Sequence, residues 1–152
     1  MDAGCRVREA RPADLGAVAV LERTLFSDPW SRTAFAPHLG AFFLVAERDE
    51  SVVGYVLGAS ALDEGEVLNL AVDRARQREG IGTSLWDALR SRLRAAGVRQ
   101  VFLEVRESNL EARAFYARHR FQDVRRRPRY YSRPTEDAVV MKCCIDATND
   151  DA

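Results

Sequence analysis

Several stretches of this sequence carry residue types and spacings that could do chemistry. Gln77-Arg78-Glu79-Gly80-Ile81-Gly82 sets two glycines at the head of a helical pattern, after the strand-like run Val67–Val72 and Asp73-Arg74-Ala75-Arg76. The first turn of a helix presents unpaired N–H groups and the positive end of the helix dipole, so strand, loop and helix N-terminus together make an anion site. Gly80 and Gly82 leave those amides unobstructed, and Arg76 and Arg78 add positive charge. No Gly-Lys-Ser/Thr follows, which excludes a P-loop, and the third glycine of a dinucleotide fingerprint is missing. On its own the loop is read equally well as a tight turn without a ligand.

The second stretch is Leu103-Glu104-Val105-Arg106-Glu107-Ser108-Asn109. In a strand Leu103 and Val105 share one face and Glu104 takes the other. An acid there is either solvated on a sheet face or set in a cleft, where burial raises its pKa toward the range of a general base. Tyr116, late in the next helical pattern, reads by itself as packing at the edge of a core. The run Arg125-Arg126-Arg127-Pro128-Arg129-Tyr130-Tyr131-Ser132 has the look of a nucleic-acid patch with stacking aromatics, or of a solvated turn. Of the 23 basic residues only Lys142 is a lysine, which leaves 23 − 1 = 22 arginines, so an arginine cluster carries less weight here than elsewhere.

Positioning these groups requires a mixed α/β framework. Cys5–Glu9 alternates like an edge strand, and Pro12-Ala13-Asp14 opens a helix with Leu15, Val18, Leu21 and Leu25 on one face. Ser31 is placed to cap a second short helix that ends near Gly40. Ala41–Glu47, Val52–Ala59 and Val67–Val72 read as a meander of strands, the last following an Asp63-Glu64-Gly65 turn. Ile81, Leu85, Leu89 and Leu93 form the stripe of an amphipathic helix closed by Gly97 as a left-handed cap. Val101–Val105 is a buried strand, and Asn109–Arg118 a helix with Leu110, Ala114 and Phe115 inward. Phe121–Val124 and Ala138–Ile145 are the last strands, with Arg125–Asp137 as a long polar loop between them. A meander followed by alternating helices and strands implies an α/β or α+β sandwich with a mixed sheet.

The 152 residues suit one domain, expected over residues 1–145, with 146–152 as a loose acidic tail. The 23 acidic residues balance the 23 basic ones, which argues against a dedicated nucleic-acid or membrane-surface binder. Cys5, Cys143 and Cys144 make neither a disulfide framework nor a zinc site, and Cys143 and Cys144 read as buried strand residues. His38 and His119 lack ligand spacing. No signal segment or membrane span is evident, so the expectation is a cytoplasmic protein without a metal.

Gln77-x-x-Gly80-x-Gly82, with Asn69-Leu70-Ala71-Val72-Asp73 before it, resembles the signature of the GNAT superfamily of N-acetyltransferases. Leu103-Glu104-Val105-Arg106-x-Ser108-Asn109 followed by Ala112-x-x-Phe115-Tyr116 is similar to the RimI-type branch, the ribosomal-protein-alanine N-acetyltransferases. The resemblance also takes in Pro29-Trp30-Ser31 with Thr33 and Phe35, and Arg126–Met141, and so most of the chain. It implies a three-layer α/β sandwich whose sheet of about seven strands contains a splayed pair and is flanked by about four helices. It implies acetyl-CoA as co-substrate, with the pyrophosphate at Gln77, Arg78, Glu79, Gly80, Ile81, Gly82 and Thr83, and the acetyl carbonyl and pantetheine arm at Leu70, Ala71 and Val72. Glu104 then resembles the general base, Tyr116 the general acid at the coenzyme A sulfur, and Asn109 a side-chain contact to the cofactor. Trp30, Tyr130 and Tyr131 are implied at the peptide entrance, and the implied partner is the N-terminal peptide of a ribosomal protein that begins with alanine. A monomer or weak dimer is expected, with no stable nucleic-acid partner.

Two departures accompany the resemblance. Glu79 sets an acid in the pyrophosphate loop, where it is expected to point to solvent. His119-Arg120-Phe121 stands where relatives have Leu-Gly-Phe, so the helix end that carries Tyr116 is expected to be shaped differently. Glu66 is a rival base, since other branches carry the catalytic glutamate on the strand before the loop. An acetyltransferase of small-molecule amines and a non-catalytic coenzyme A- or RNA-binding module stand as alternatives.

Overall fold

The computed structural model describes residues 4–145, and the expected acidic tail at 146–152 lies outside the described residues. Among the described residues the strands are β1 (Cys5–Glu9), β2 (Phe42–Arg48), β3 (Ser51–Ala61), β4 (Glu64–Val72), β5 (Gln100–Arg106), β6 (Gln122–Tyr131) and β7 (Glu136–Cys144). The helices are α1 (Leu15–Leu25), α2 (Arg32–Phe35), α3 (Ile81–Ala95) and α4 (Leu110–Arg118). The strands form a mixed seven-stranded sheet in the order β1-β2-β3-β4-β5-β7-β6, with β4 and β5 parallel. No helix among the described residues is long and apolar enough to cross a membrane.

The chain forms two compact units, one taking it to Ala59 and then Leu68–Leu93, the other taking Ser60–Val67 and everything from Arg94. In the first unit β1 and β2 pair antiparallel, as do β2 and β3. Leu15, Val18 and Leu21 of α1 are buried with Phe35, Phe43, Val45 and Tyr55 in an aromatic-rich core, where Phe35 meets Tyr55 edge-on at 5.5 Å. Ser31 caps α2 as expected, its Oγ accepting from the Ala34 N–H at 3.3 Å. The predicted stripe of α3 is buried throughout: Ile81, Leu85, Leu89 and Leu93. A Cβ on Gly54 would come within 2.9 Å of the Ala71 carbonyl oxygen and 3.2 Å of Leu85, so only glycine lets β3 lie this close to β4 and α3.

In the second unit β5 alternates as its sequence predicts, with Val101, Leu103 and Val105 buried and Glu104 on the opposite face. Its antiparallel partner β7 buries Ala138, Val139, Val140 and Met141. Gly97 closes the end of α3 with φ of 93°, the left-handed cap expected there.

The structure corrects several expectations. Arg125–Asp137 is not a long loop: β6 runs to Tyr131 and pairs with β7 from Gln122↔Lys142 to Tyr131↔Glu136, leaving a short turn between them. An edge strand whose side chains are nearly all exposed has no apolar alternation to reveal it; its order comes from backbone pairing with β7. Pro128 sits in the irregular stretch between Arg127 and Tyr131, where an edge strand tolerates a residue without an N–H. β4 starts at Glu64, not Val67, because the turn is made by Leu62, with φ of 57°, and Asp63. Glu64, Gly65 and Glu66 thereby enter the ladder with β5. In α4, Leu110 is exposed and Tyr116 is the buried residue, because a nine-residue helix with so weak an apolar stripe takes its facing from its neighbours. Cys143 is buried but Cys144, one residue on, faces out, as strand alternation requires.

Candidate active site

In the first unit, β4 ends at Leu70, Ala71 and Val72, and the chain turns into α3 through Gln77–Gly80. Asp73 shapes the turn, its carboxylate accepting from the Ala75 N–H at 3.1 Å while its own N–H donates to the Val53 carbonyl at 2.8 Å. The Gln77 side-chain amide donates back to the Val72 carbonyl at 3.1 Å and ties the loop to the strand end. Arg78 and Gly80 both have positive φ, 70° and 85°, and no atom lies within 4 Å of where a Gly80 Cβ would stand. Gly80 leads directly into α3, whose N-terminal turn presents backbone N–H groups as any helix head does. Those amides, the bare glycine and the nearby arginines fit a pyrophosphate. Glu79, expected to point to solvent, is instead held by Arg48, whose guanidinium donates to its carboxylate at 2.6 Å.

A residue that sequence reasoning passed over organises the same unit. Glu22 on α1 is 2% exposed and accepts hydrogen bonds from the Trp30 N–H at 3.0 Å, the Asn69 amide at 2.9 Å and the Tyr55 hydroxyl. It fastens the loop after α1 to β3 and β4. Trp30, the predicted wall of the substrate entrance, packs against Phe35 at 5.3 Å and His38 at 5.5 Å. The only sequence signal for Glu22 is an acid inside the apolar helix Leu15–Leu25.

In the second unit, the parallel ladder of β4 with β5 runs from Glu64↔Gln100 to Glu66↔Phe102. Glu104 lies two residues further along β5, and the Glu66 and Glu104 carboxyl groups hydrogen-bond to each other. Burial, and then the neighbouring Glu104 charge, push the Glu66 carboxyl above its ordinary value, with Arg127 opposing the shift. Arg127 on β6 donates to Glu104 at 2.6 Å and lies 4.6 Å over the Tyr130 ring. The expected base and its rival are thus neighbours, and Tyr130 and Arg127 stand beside them. Tyr131 meets Tyr130 edge-on at 5.0 Å and lies under Arg106, whose guanidinium donates to the carbonyls of Ser132 and Pro134.

Tyr116 is buried, and that burial raises its pKa well beyond the ordinary tyrosine range, so the phenol stays protonated and is a hydrogen-bond donor. The expected distortion of its helix end is absent. The Phe121 N–H donates to the Tyr116 carbonyl at 3.0 Å and the Arg120 N–H to the Ala117 carbonyl at 3.1 Å, the two bonds of a Schellman cap. Arg120 takes the left-handed position with φ of 72° despite its side chain, and the edge-on contact of Phe121 with Tyr116 at 5.3 Å supplies the accompanying apolar contact. Asn109 caps α4, its side-chain oxygen accepting from the Ala112 N–H at 3.1 Å, which leaves its amide NH2 as the group able to meet a ligand.

The model of the Acetyltransferase (GNAT) family matches residues 13–121, which takes in the glycine loop, Glu66, Glu104 and Tyr116. The chain belongs to the GNAT acetyltransferase family. It is 36% identical over 139 residues to an uncharacterized N-acetyltransferase of Methanocaldococcus jannaschii, covering 89% of this chain and 88% of that protein. It is 34% identical over 134 residues to the ribosomal protein bS18-alanine N-acetyltransferase of Escherichia coli, covering 84% and 89%. The crystal structure of the Escherichia coli ribosomal-protein-alanine N-acetyltransferase superposes with a TM-score of 0.85 at 29% identity, covering 97% of this chain and 98% of that one. Within the GNAT family this chain is an enzyme of acetyl transfer.

Proposed function

We propose that this GNAT enzyme transfers the acetyl group of acetyl-CoA to the N-terminal α-amine of a protein, a ribosomal protein that begins with alanine, by direct attack in a ternary complex. The observation that carries the reading is the Glu66–Glu104 pair: burial and then the neighbouring acid raise the Glu66 carboxyl above its ordinary pKa, which makes it a better proton acceptor than a solvated carboxylate. The 34% identity to the bS18-alanine N-acetyltransferase supports the choice of substrate.

The reaction has two proton problems. The α-amine must be neutral to attack, and the coenzyme A thiolate must be protonated or hydrogen-bonded as it leaves. Glu104, through water, takes the proton from the amine. Tyr116 is the general acid that meets the leaving sulfur. Acetyl-CoA supplies the acyl group, and backbone N–H groups around Val72 polarise its carbonyl. Gln77, Arg78, Gly80, Ile81, Gly82 and Thr83 hold the pyrophosphate, and the Asn109 amide is a further cofactor contact. Leu70 and Ala71 line the pantetheine arm. Trp30, Tyr130 and Tyr131 receive the peptide.

The test is thiol release from acetyl-CoA with a short alanine-starting peptide copied from the ribosomal protein, against the same peptide with a blocked α-amine and against polyamines. Turnover only with the free α-amine supports the reading; turnover only with polyamines overturns it. Glu104→Gln and Tyr116→Phe should each lower kcat/KM by at least tenfold. If both stay within about threefold of the parent, a loss of under about 0.7 kcal/mol, the acid–base assignment is wrong.

A further inference from the structure

Two arginine–tyrosine stacks lie side by side in the second unit, and they are fastened very differently. Arg106 sits over the Tyr131 ring at 4.5 Å and donates to the carbonyls of Ser132 and Pro134, both at 2.9 Å, and to the Glu136 carboxylate at 3.3 Å. Its side chain is 19% exposed, and it clamps the turn between β6 and β7. Arg127 sits over the Tyr130 ring at 4.6 Å, but its side chain is 46% exposed and the hydrogen bond described for it is the one to Glu104. It stands on an edge strand, paired with Ala138 at the last register position before the ladder becomes irregular.

The position that the Arg127 guanidinium fills has two walls, a carboxylate and an aromatic face. Those are the two surfaces that recognise a small organic cation, the first by charge-assisted hydrogen bonding and the second by the ring quadrupole. Glu104 is only 15% exposed, and Glu66 hydrogen-bonds to it from the neighbouring strand, so a second acid backs the position. A half-exposed arginine pair is weak and readily exchanged.

We propose that Arg127 is a resident stand-in for the substrate's ammonium group, occupying the cation position between Glu104 and the Tyr130 ring until a protonated N-terminus displaces it. The inference rests on the proposed function for the identity of the displacing group, and on the geometry alone for the existence of an exchangeable cation position. Arg127 then acts on specificity. An incoming amine must out-compete a tethered guanidinium, which weak or poorly positioned amines fail to do, while Glu104 is kept from lying unpaired when no substrate is bound.

Arg127→Met keeps the length of the side chain and its apolar contact with Tyr130 but removes the cation. In steady-state assays with the alanine-starting peptide, its KM should fall at least threefold, so that kcat/KM rises through KM. A second measurement needs no turnover: methylguanidinium chloride titrated into the 15N-labelled protein and followed by NMR, with sodium chloride at matched ionic strength as control. It should perturb amides around Glu104 and Tyr130 in R127M at concentrations at least fivefold lower than in the parent, and this response should be lost in R127M/E104Q. An unchanged or increased KM in R127M, or equal methylguanidinium response in R127M and parent, overturns the proposal. If the parent protein acetylates no alanine-starting peptide, the substrate assignment falls, and the titration alone decides whether Arg127 fills an exchangeable cation position.

Discussion

Arg48, the last residue of β2, donates to the Glu79 carboxylate at 2.6 Å and so pairs the acid of the glycine loop. The pair accounts for an acid in a loop built to hold a pyrophosphate: its charge is neutralised and its direction is set. Arg48→Ala should release the carboxylate and raise the KM for acetyl-CoA by about threefold to tenfold, the effect of about 1 kcal/mol of like-charge repulsion. Adding Glu79→Gln to Arg48→Ala should restore the parent value. A double variant that stays as weak as Arg48→Ala would show that the pair does not control the loop's charge.

Gly54 holds the strand side of the same loop. A methyl group there would press on the Ala71 carbonyl, which is backbone and cannot rotate away. Gly54→Ala should destabilise the protein by about 1–3 kcal/mol, measured by urea unfolding, and raise the KM for acetyl-CoA because Ala71 and Val72 shift with it. Parent-like values in both assays would mean that β3 and β4 part without cost.

Glu22 predicts a contrast between two substitutions. Glu22→Ala removes the carboxylate that accepts from the Trp30 N–H, the Asn69 amide and the Tyr55 hydroxyl, and should cost about 2–4 kcal/mol in unfolding free energy. Glu22→Gln keeps one acceptor oxygen and should cost less than half of that. The KM for the peptide should rise more than the KM for acetyl-CoA in Glu22→Gln, because Trp30 is the contact that loosens. Equal losses of stability for the two variants would contradict the hydrogen-bonding role.

Glu66 predicts a pH dependence of stability. Its pKa is raised in the folded protein, first by burial and then by Glu104, with Arg127 opposing. A carboxyl with a raised folded-state pKa favours folding in its protonated form, fully below the unfolded value near 4.5, and loses that contribution as pH rises through the folded value. Glu66→Gln mimics the protonated form at every pH. Its stability relative to the parent should therefore climb as pH rises from the unfolded value near 4.5 through the raised folded value, read from urea midpoints across that range. A difference that stays flat over the same range would remove the carboxyl pair from the argument.

What the sequence determined was local. The four-residue stripe from Ile81 to Leu93, Ser31 as a cap, Gly97 as a left-handed stop and the alternation around Glu104 each follow from a few neighbouring residues, and each is found in place. The signature residues Gln77, Gly80, Gly82, Glu104 and Tyr116 likewise stand close together in the chain or in fixed relation to one helix or strand, so their family could be read before any fold was known. Only the tertiary structure decided what depends on partners distant in sequence. Glu66 and Glu104 are 38 positions apart and become one acid pair through a parallel register that starts at Glu64, inside the stretch the sequence pattern read as a turn. The arginine run at 125–129 became a strand because β7 offered it hydrogen bonds, and that strand carries Arg127 to Glu104. Glu22 and Arg120 needed the same level of information. A buried acid is defined by the three donors that meet it, and an arginine can hold a left-handed cap because Phe121 packs on Tyr116 beyond it. Periodicity reports which face of an element is apolar; which charges meet is settled by the register and packing of elements far apart in the chain.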